Sequence, residues 1–132
     1  MNAQCQCGRL SVGPPGPTAA VAACRCVDRR RRSGSPLGCS PCYPADQVAI
    51  AGEARRFERT TDEGNRFETF FRPECGSTVY AVAGKHPAMV GVAVGALADP
   101  DFPPPARSVW ERSMRRWATM PGDAQRFPKG RG

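Results

Sequence analysis

Apolar residues alternate with polar or small residues along much of the chain, and this period of two predicts short β-strands. The alternation is plainest from Gln47 onward, where Val48 and Ile50 are separated by a small residue. We therefore predict a mostly β fold. Other segments with a strand-like pattern lie at 9–12, 18–23, 54–60, 66–71, 78–82 and 89–94.

A turn signal at Asp62–Asn65 separates two of these segments and predicts a β-hairpin. On the returning strand, Phe67, Thr69 and Phe71 are spaced two residues apart. Side chains with that spacing point to the same side of a strand, so we expect these three to share one face.

Two stretches rich in glycine, proline and serine, 13–17 and 34–44, interrupt the pattern and are interpreted as turns. Farther along, the segment from 108 to 120 carries Trp110 and Trp117, seven residues apart. That spacing fits one face of a helix. It fits equally well a short strand and turn that pack both indoles.

The length of 132 residues leaves room for one domain with a modest core. Glycine and proline contribute 14 residues each, which favours many turns and few long helices. A small, loop-rich domain of this kind needs a cross-link to be stable. We predict one domain over residues 1–122 and a loosely held basic tail over 123–132.

The longest apolar run, Ala88–Ala98, is too short for a membrane helix, which needs about 20 residues. We interpret it as a buried strand and expect no membrane partner. The first residues, Met1–Cys5, lack the charged start and apolar stretch of a secretory signal. An odd number of cysteines without such a signal favours a reducing compartment, where thiols hold metals. We therefore expect a cytoplasmic zinc protein.

The net charge is +7, and part of it lies in the tract Arg29–Arg32 and part in residues 107–132. Basic tracts are consistent with a solvated face, with contacts to an anionic small ligand, or with nucleic-acid binding. No interleaved aromatic residues or recognition-helix pattern accompany them. We therefore favour the solvated face and disfavour nucleic acid.

Six of the seven cysteines occur in closely spaced pairs. Pairs of thiolates in tight turns, separated by loops, are typical of tetrahedral zinc sites. Glycine follows Cys7 and Cys75, where it lets backbone amides turn toward the sulfurs. The cysteines are arranged as Cys5-Gln6-Cys7, Cys24-Arg25-Cys26, Cys39-Ser40-Pro41-Cys42 and a lone Cys75.

Five motifs follow one another in a characteristic order. They are Cys5-Gln6-Cys7-Gly8, Cys24–Asp28 running on to Pro36, Pro44–Val48, Phe71–Tyr80 and Gly95–Pro100. This set resembles the glutathione-dependent formaldehyde-activating enzyme family, which includes centromere protein V. The resemblance spans about residues 3–120. It implies a small zinc-binding β fold of the Mss4-like type, with short helical turns and two metal sites.

The resemblance also assigns roles to five cysteines. Cys5, Cys7 and Cys75 would belong to a structural four-thiolate zinc site. Cys24 and Cys26 would belong to a three-thiolate zinc site whose open position takes the thiol of glutathione. The implied activity is that of a carbon–sulfur lyase, which joins formaldehyde to glutathione as S-hydroxymethylglutathione.

Two ligands of the family pattern are replaced by arginine in this chain. Arg29 stands where the open site expects its third thiolate, and Arg72 stands where the structural site expects its third. Arginine carries a positive charge that it cannot lose. One pair of unit charges at 4 Å is worth about 4 kcal/mol at an effective dielectric near 20, and zinc carries two charges. We expect that each arginine swings into solvent or that the metal leaves.

Cys39 and Cys42 lie outside the family pattern. Twelve residues separate Cys39 from Cys26, a spacing that suits a four-thiolate site. One hypothesis is that they join Cys24 and Cys26 and close that site, which would leave no place for a substrate thiol. The alternative is that they are two free thiols in a turn.

Two functions remain open from the sequence. The first is a carbon–sulfur lyase acting on a glutathione adduct, in which Arg30–Arg32 hold the carboxylates of glutathione. The second is a non-catalytic zinc module that acts through protein or polyanion binding. The single histidine, His86, is interpreted as a surface residue, and Trp110 and Trp117 as packing residues.

Overall fold

The computed structural model describes residues 2–18, 20–120 and 122–130, so the last two residues of the predicted tail lie outside the described part, as do Met1, Ala19 and Pro121. Short strands joined by turns make up most of this part, with one α-helix, α1 (Val27–Ser33). The strands are β1 (Ala3–Gln4), β2 (Ser11–Gly13), β3 (Val21–Cys24), β4 (Gly38–Pro44), β5 (Ala49–Ala51), β6 (Arg55–Thr60), β7 (Arg66–Phe71), β8 (Thr78–Ala83), β9 (Met89–Val92), β10 (Arg107–Val109) and β11 (Gln125–Arg126). Single 3₁₀ turns occupy Ala45–Gln47, Val94–Ala96 and Glu111–Ser113.

The strands form two sheets. The smaller is antiparallel, in the order β1-β2-β5. The larger has the order β11-β10-β3-β4-β9-β8-β7-β6, and its pairs are antiparallel except that β10 runs parallel to both β3 and β11. A bridge between Ala3 and Leu97 joins the small sheet to the segment that follows β9. The mostly β fold predicted from the sequence is confirmed.

The predicted hairpin is present as β6 and β7, which pair over their whole length. Its turn is closed by the amide of Thr61, which donates to the carbonyl of Asn65 at 2.7 Å. Phe67, Thr69 and Phe71 line one groove, so they share a face as expected.

The interpretation of 34–44 as a turn is wrong for its second half, because β4 is a central strand of the large sheet. Pro41 is tolerated there since pairing with β9 begins only at Cys42, and the amide of Cys42 donates to Ala20 on the other side. An N–H at position 41 would point toward β9, which is not yet paired there. The proline therefore costs the sheet no inter-strand hydrogen bond.

The arginine tract was not predicted to be helical, yet it forms α1. Cys26 caps its N-terminus, and Gly34 ends it with a left-handed φ of 70° and an N–H that donates a hydrogen bond to the carbonyl of Arg30. Cysteine is not among the residues that usually signal a helix start, which explains the missed element. The arginines of the last turn interact favourably with the carbonyl end of the helix dipole.

The segment 108–120 follows the second alternative, a short strand and turn. Trp117 is 71% exposed, so the prediction that both indoles pack is wrong for this one. The predicted loose tail is also wrong in its middle. There β11 pairs with β10, and the carbonyls of Phe127 and Lys129 accept bonds from the amides of Glu111 and Trp110.

The core lies between the small sheet and strands β4, β8 and β9 of the large sheet. The run Ala88–Ala98 contributes to it, although only Met89–Val92 is a strand and a 3₁₀ turn follows. Among the described residues, no helix has the length and apolarity needed to cross a membrane. The core residues are Ala3, Cys5, Leu10, Val12, Tyr43, Val79, Val90, Val92 and Leu97.

Gly52, directly after β5, allows the close approach of two segments in the small sheet. Its φ is 98°, and a Cβ there would overlap the carbonyl oxygen of Arg9. We expect Gly52→Ala to lower the free energy of unfolding by about 2 kcal/mol, because a strained backbone and a steric clash act together. Denaturant unfolding measures this. Gly95→Ala is the control, since the space around Gly95 is open. Equal losses in both variants would contradict the argument.

Candidate metal site and ligand cleft

The turn after β1 presents Cys5 and Cys7. The amide of Cys5 donates to the carbonyl of Leu10 at 2.9 Å, and the amide of Gly8 donates to the carbonyl of Cys5 at 3.0 Å. Gly8 has a φ of 81°, which glycine adopts without strain. The amide of Leu10 donates to Cys5 Sγ at 3.2 Å. The turn thus directs a backbone donor to a sulfur, as the glycine after Cys7 suggested.

The loop between β7 and β8 carries Cys75. Gly76 has a φ of 76°, and its amide donates to the carbonyl of Arg72 at 2.7 Å. The Ser77 hydroxyl lies 3.5 Å from Cys75 Sγ and accepts a bond from the amide of Gln6 at 3.0 Å. That last bond ties the two cysteine-bearing turns together.

The sulfurs of Cys5, Cys7 and Cys75 all lie within 4.8 Å of one another, and those of Cys5 and Cys7 are 3.5 Å apart. Sulfur ligands of a tetrahedral zinc, each at about 2.3 Å, are separated by about 3.8 Å. This triad therefore fits a metal ion. Cys5 is buried and Cys7 is exposed, so one side of the triad is open to solvent.

Hydrogen bonds favour the thiolate form of Cys75. The side chain of Ser77 contributes most, followed by the amides of Ser77 and Cys7, and together they lower the pKa of Cys75 to about 6. The thiolate is the form that binds metals.

Arg72 neither swings into solvent nor enters the triad. Its Nε pairs with Glu74 Oε2 at 2.7 Å, and its Nη1 donates to the carbonyl of Glu53 at 3.0 Å. Its side chain is only 11% exposed. The charge of Arg72 is therefore compensated by Glu74, and the guanidinium is engaged outside the three thiols.

Cys24 and Cys26 line a cleft of about 860 Å³ between α1, β10 and the β6–β7 hairpin. Cys24 ends β3, and Cys26 Sγ accepts the amide of Arg29 at 3.4 Å. Arg25 lies between them, is fully buried, and donates to the carbonyl of Ala118. The two thiols therefore face the cleft while the residue between them faces the protein interior.

The two thiols have pKa values shifted in opposite directions. The hydrogen bond from Cys24 lowers the pKa of Cys26 to about 6, assisted by the amide of Arg29 and the charges of Arg29 and Arg59. The same bond, together with burial, raises the pKa of Cys24. Cys26 is therefore the thiolate of the pair at neutral pH.

Arg29 is held in place beside this pair. Its Nη1 donates to Ser40 Oγ at 2.8 Å, and its guanidinium carbon lies 5.7 Å from the centroid of the Phe67 ring. Its aliphatic part crosses Gly38, where any Cβ would overlap it. Of the two alternatives expected for Arg29, the structure excludes the one in which it swings into solvent, because Ser40 on β4 and Phe67 on β7 hold its side chain.

The donor atoms at the cleft do not suit a metal ion. Among residues 2–18, 20–120 and 122–130, the triad Cys5, Cys7 and Cys75 is the one group of three potential ligands within 4.8 Å. Catalytic zinc sites use three protein ligands. A second zinc at Cys24 and Cys26 would have two sulfur ligands with a fixed guanidinium beside them.

Cys39 and Cys42 do not complete this site. They lie three residues apart in the extended strand β4, so their side chains point to opposite faces of the sheet. Burial raises the pKa of both thiols. The hypothesis of a closed four-thiolate site with Cys24 and Cys26 is contradicted by this alternation.

Cationic side chains dominate the cleft wall. Three of them pair with acids: Arg59 with Asp28 and Lys85 with Glu63, both at 3.4 Å, and Arg66 with Glu58 at 3.2 Å. In the part of the chain that the structure describes, no carboxylate pairs with Arg29, Arg107 or Arg112. The cationic lining residues are Arg29, Arg59, Arg66, Lys85, Arg107 and Arg112, and the acidic ones are Asp28, Asp62 and Glu63.

Arg30–Arg32 do not line this cleft, but Arg31 and Arg32 line an adjoining groove that shares Arg29 and Arg59 with it. Their contact with the carboxylates of a ligand stays a prediction. Sequence reasoning missed Arg59, Arg107 and Arg112, which lie far along the chain from the thiols. The pairing of β10 with β3 brings Arg107 beside them. That parallel pairing has no local signal in the sequence.

Two further residues border the cleft. His86 is exposed in the turn before β9, as predicted. Trp110 is half-buried with a φ of 59°, and its amide donates to the carbonyl of Lys129 at 3.1 Å. The guanidinium of Arg112 lies 5.3 Å from the centroid of the indole. The C-terminal segment thus supports one wall of the cleft.

The chain belongs to the glutathione-dependent formaldehyde-activating enzyme family, because the model of that family matches residues 1–113. This confirms the resemblance seen in the sequence. The match includes all seven cysteines and every strand through β10.

The fold is similar to a crystal structure of a Rhodobacter sphaeroides protein, determined as a structural-genomics target. The TM-score is 0.59 at 20% sequence identity, over 76% of this chain and 92% of that chain. At this identity the likeness concerns the fold alone. No curated protein matches the sequence significantly.

Proposed function

We propose that this protein binds glutathione, or its adduct with formaldehyde, in the cleft beside Cys24 and Cys26, and acts there as a carbon–sulfur lyase. The observation that carries the proposal is the cleft wall, where Arg29, Arg107 and Arg112 lack carboxylate partners among the described residues. Glutathione has two carboxylates, which guanidinium groups match in shape and charge. Family membership supplies the substrate class.

The reaction adds the thiolate of glutathione to the carbonyl carbon of formaldehyde, and the resulting oxyanion takes up one proton to give S-hydroxymethylglutathione. The unpaired arginines of the cleft bind and orient the carboxylates. Arg29, held by Ser40 and Phe67, supplies positive charge near the reacting sulfur. Fixed cations of this kind stabilise a thiolate nucleophile and a developing oxyanion.

A second candidate function is favoured by the same Arg29. Because it occupies the region of the expected third ligand, the chain can be a binding module that kept the fold and lost the chemistry. Its basic surface would then bind a protein or polyanion partner. Two-dimensional exchange NMR of formaldehyde with glutathione separates the two, since only the lyase speeds the exchange above its uncatalysed rate.

We further propose that Cys5, Cys7 and Cys75 hold one structural zinc ion, with water as the fourth ligand. Zinc would supply a cross-link between the two sheets and no catalytic step. A reducing, cytoplasmic location would keep these thiols available to the metal.

Removal of one triad sulfur tests the metal site. We expect Cys75→Ser to lose the bound zinc and to unfold at a lower temperature, because a structural metal contributes directly to folding. Metal analysis and thermal unfolding measure both effects. Cys39→Ser is the control and is expected to keep its metal content, since Cys39 lies outside the triad. Equal zinc content in Cys75→Ser and in the unaltered protein would overturn the assignment.

Charge reversal tests the ligand cleft. We expect Arg112→Glu to weaken glutathione binding about tenfold or more, because it removes a charge-assisted bond and repels a carboxylate. Isothermal titration calorimetry measures the affinity. Arg115→Glu is the matched control, since Arg115 is equally exposed in the same segment but lines a different groove. Equal weakening in both variants, or no binding by the unaltered protein at millimolar glutathione, would contradict the proposal.

A further inference from the structure

We propose that Cys24 and Cys26 form a metal-free dithiol, with Arg29 in the place of the third ligand, and that this dithiol exchanges with the disulfide of a small anionic thiol. This rests on the proposed function, because the same cleft receives the ligand. It differs from the metal-bound open site that the family resemblance implies.

The first support is the set of donors. Two sulfurs face the cleft, and in the described part of the chain no third cysteine, histidine or carboxylate joins them within 4.8 Å. Arg29 cannot lose its proton, so it repels a divalent ion. It cannot easily withdraw either, because Ser40, Phe67 and the bare backbone of Gly38 hold it.

The second support is the geometry of the two thiols. Cys24 ends β3 and Cys26 follows two residues later, and both line the cleft. Cys24 is 9% exposed, whereas Cys26 is more accessible. The accessible sulfur is suited to attack an incoming disulfide, and the buried one is suited to resolve the product.

The third support is the charge of the cleft. Its lining has six cationic and three acidic side chains. A disulfide that carries carboxylates is attracted to such a wall, while a cationic disulfide is repelled. The chemical class of the co-reactant is therefore an anionic disulfide, for which oxidised glutathione is the probe.

The exchange balances in two steps. The thiolate of Cys26 attacks one sulfur of the disulfide, forming a Cys26–glutathione bond, and the other glutathione leaves as a thiolate that takes up a proton. Cys24 then loses its proton and attacks Cys26 Sγ, releasing the second glutathione. The protein dithiol is oxidised by two electrons, and one disulfide is reduced to two thiols.

Mass spectrometry of the zinc-loaded chain tests this directly. We expect oxidised glutathione to convert the Cys24–Cys26 pair to a disulfide, and to do so at least tenfold faster than cystamine, a cationic disulfide. Cys24→Ser should trap the mixed disulfide on Cys26, and Cys26→Ser should abolish the reaction. Cys42→Ser is the matched control and should react as the unaltered chain does.

The outcomes separate this proposal from the proposed function. Protection of Cys24 and Cys26 by zinc, with two ions bound per chain, would overturn the dithiol. Equal rates with both disulfides would support the exchange-active dithiol. They would overturn the inference that the cleft selects an anionic ligand, and with it the proposed binding of glutathione there. No reaction with either disulfide would overturn the dithiol proposal. The proposed binding of glutathione would then still be tested separately, by the calorimetric measurement of its affinity.

A gain-of-ligand variant gives an independent test. Arg29→Cys restores the third thiol, so we expect it to bind a second zinc ion and to lose disulfide exchange when zinc is present. Arg29→Ser removes the same packing without adding a strong ligand and should bind one zinc ion. Its exchange with oxidised glutathione should persist in the presence of zinc but be slower, because one positive charge of the cleft is lost. A second zinc in Arg29→Ser would overturn the role given to Arg29. If Arg29→Cys does not fold, the zinc stoichiometry of the unaltered chain decides the question.

Discussion

The meeting of Cys5, Cys7 and Cys75 is the interaction on which the rest of the structure depends. Two of these sulfurs come from the small sheet and one from the loop between β7 and β8 of the large sheet. Cys5 also belongs to the core, so a metal bound to the triad would link the two sheets next to the place where their apolar residues pack. The strands themselves are short, so a metal that joins the two sheets would contribute directly to the stability of the fold.

The two arginines that replace family ligands have different consequences. Arg72 is paired with Glu74, and three thiols remain beside it, so the structural site can still hold a metal. Arg29 has no acidic partner among the described residues, and its guanidinium is held by Ser40 of β4 and the ring of Phe67. The same substitution is therefore tolerated at one site and changes the chemistry of the other.

The hairpin and most strands could be predicted because alternation and turn residues are local signals. The triad could be predicted only through the family resemblance, since nothing local in the sequence joins Cys75 to Cys5. The strand β4 could not be predicted, because Gly38 and Pro41 are residues that signal turns. Gly38 is needed because the side chain of Arg29 packs against it, and Pro41 is tolerated because pairing with β9 starts only at Cys42. The cleft arginines were missed for a related reason, as parallel pairing of distant strands brings them together.

The zinc environment is the most direct test of this account. X-ray absorption at the zinc edge, on the folded chain purified with its metal, should show three sulfur ligands and one oxygen or nitrogen ligand. That result follows from a single ion held by the triad and water. A shell of four sulfur ligands would contradict it. So would an average of fewer than three sulfur ligands per zinc ion, which would indicate a second occupied site, or a chain that is folded without zinc.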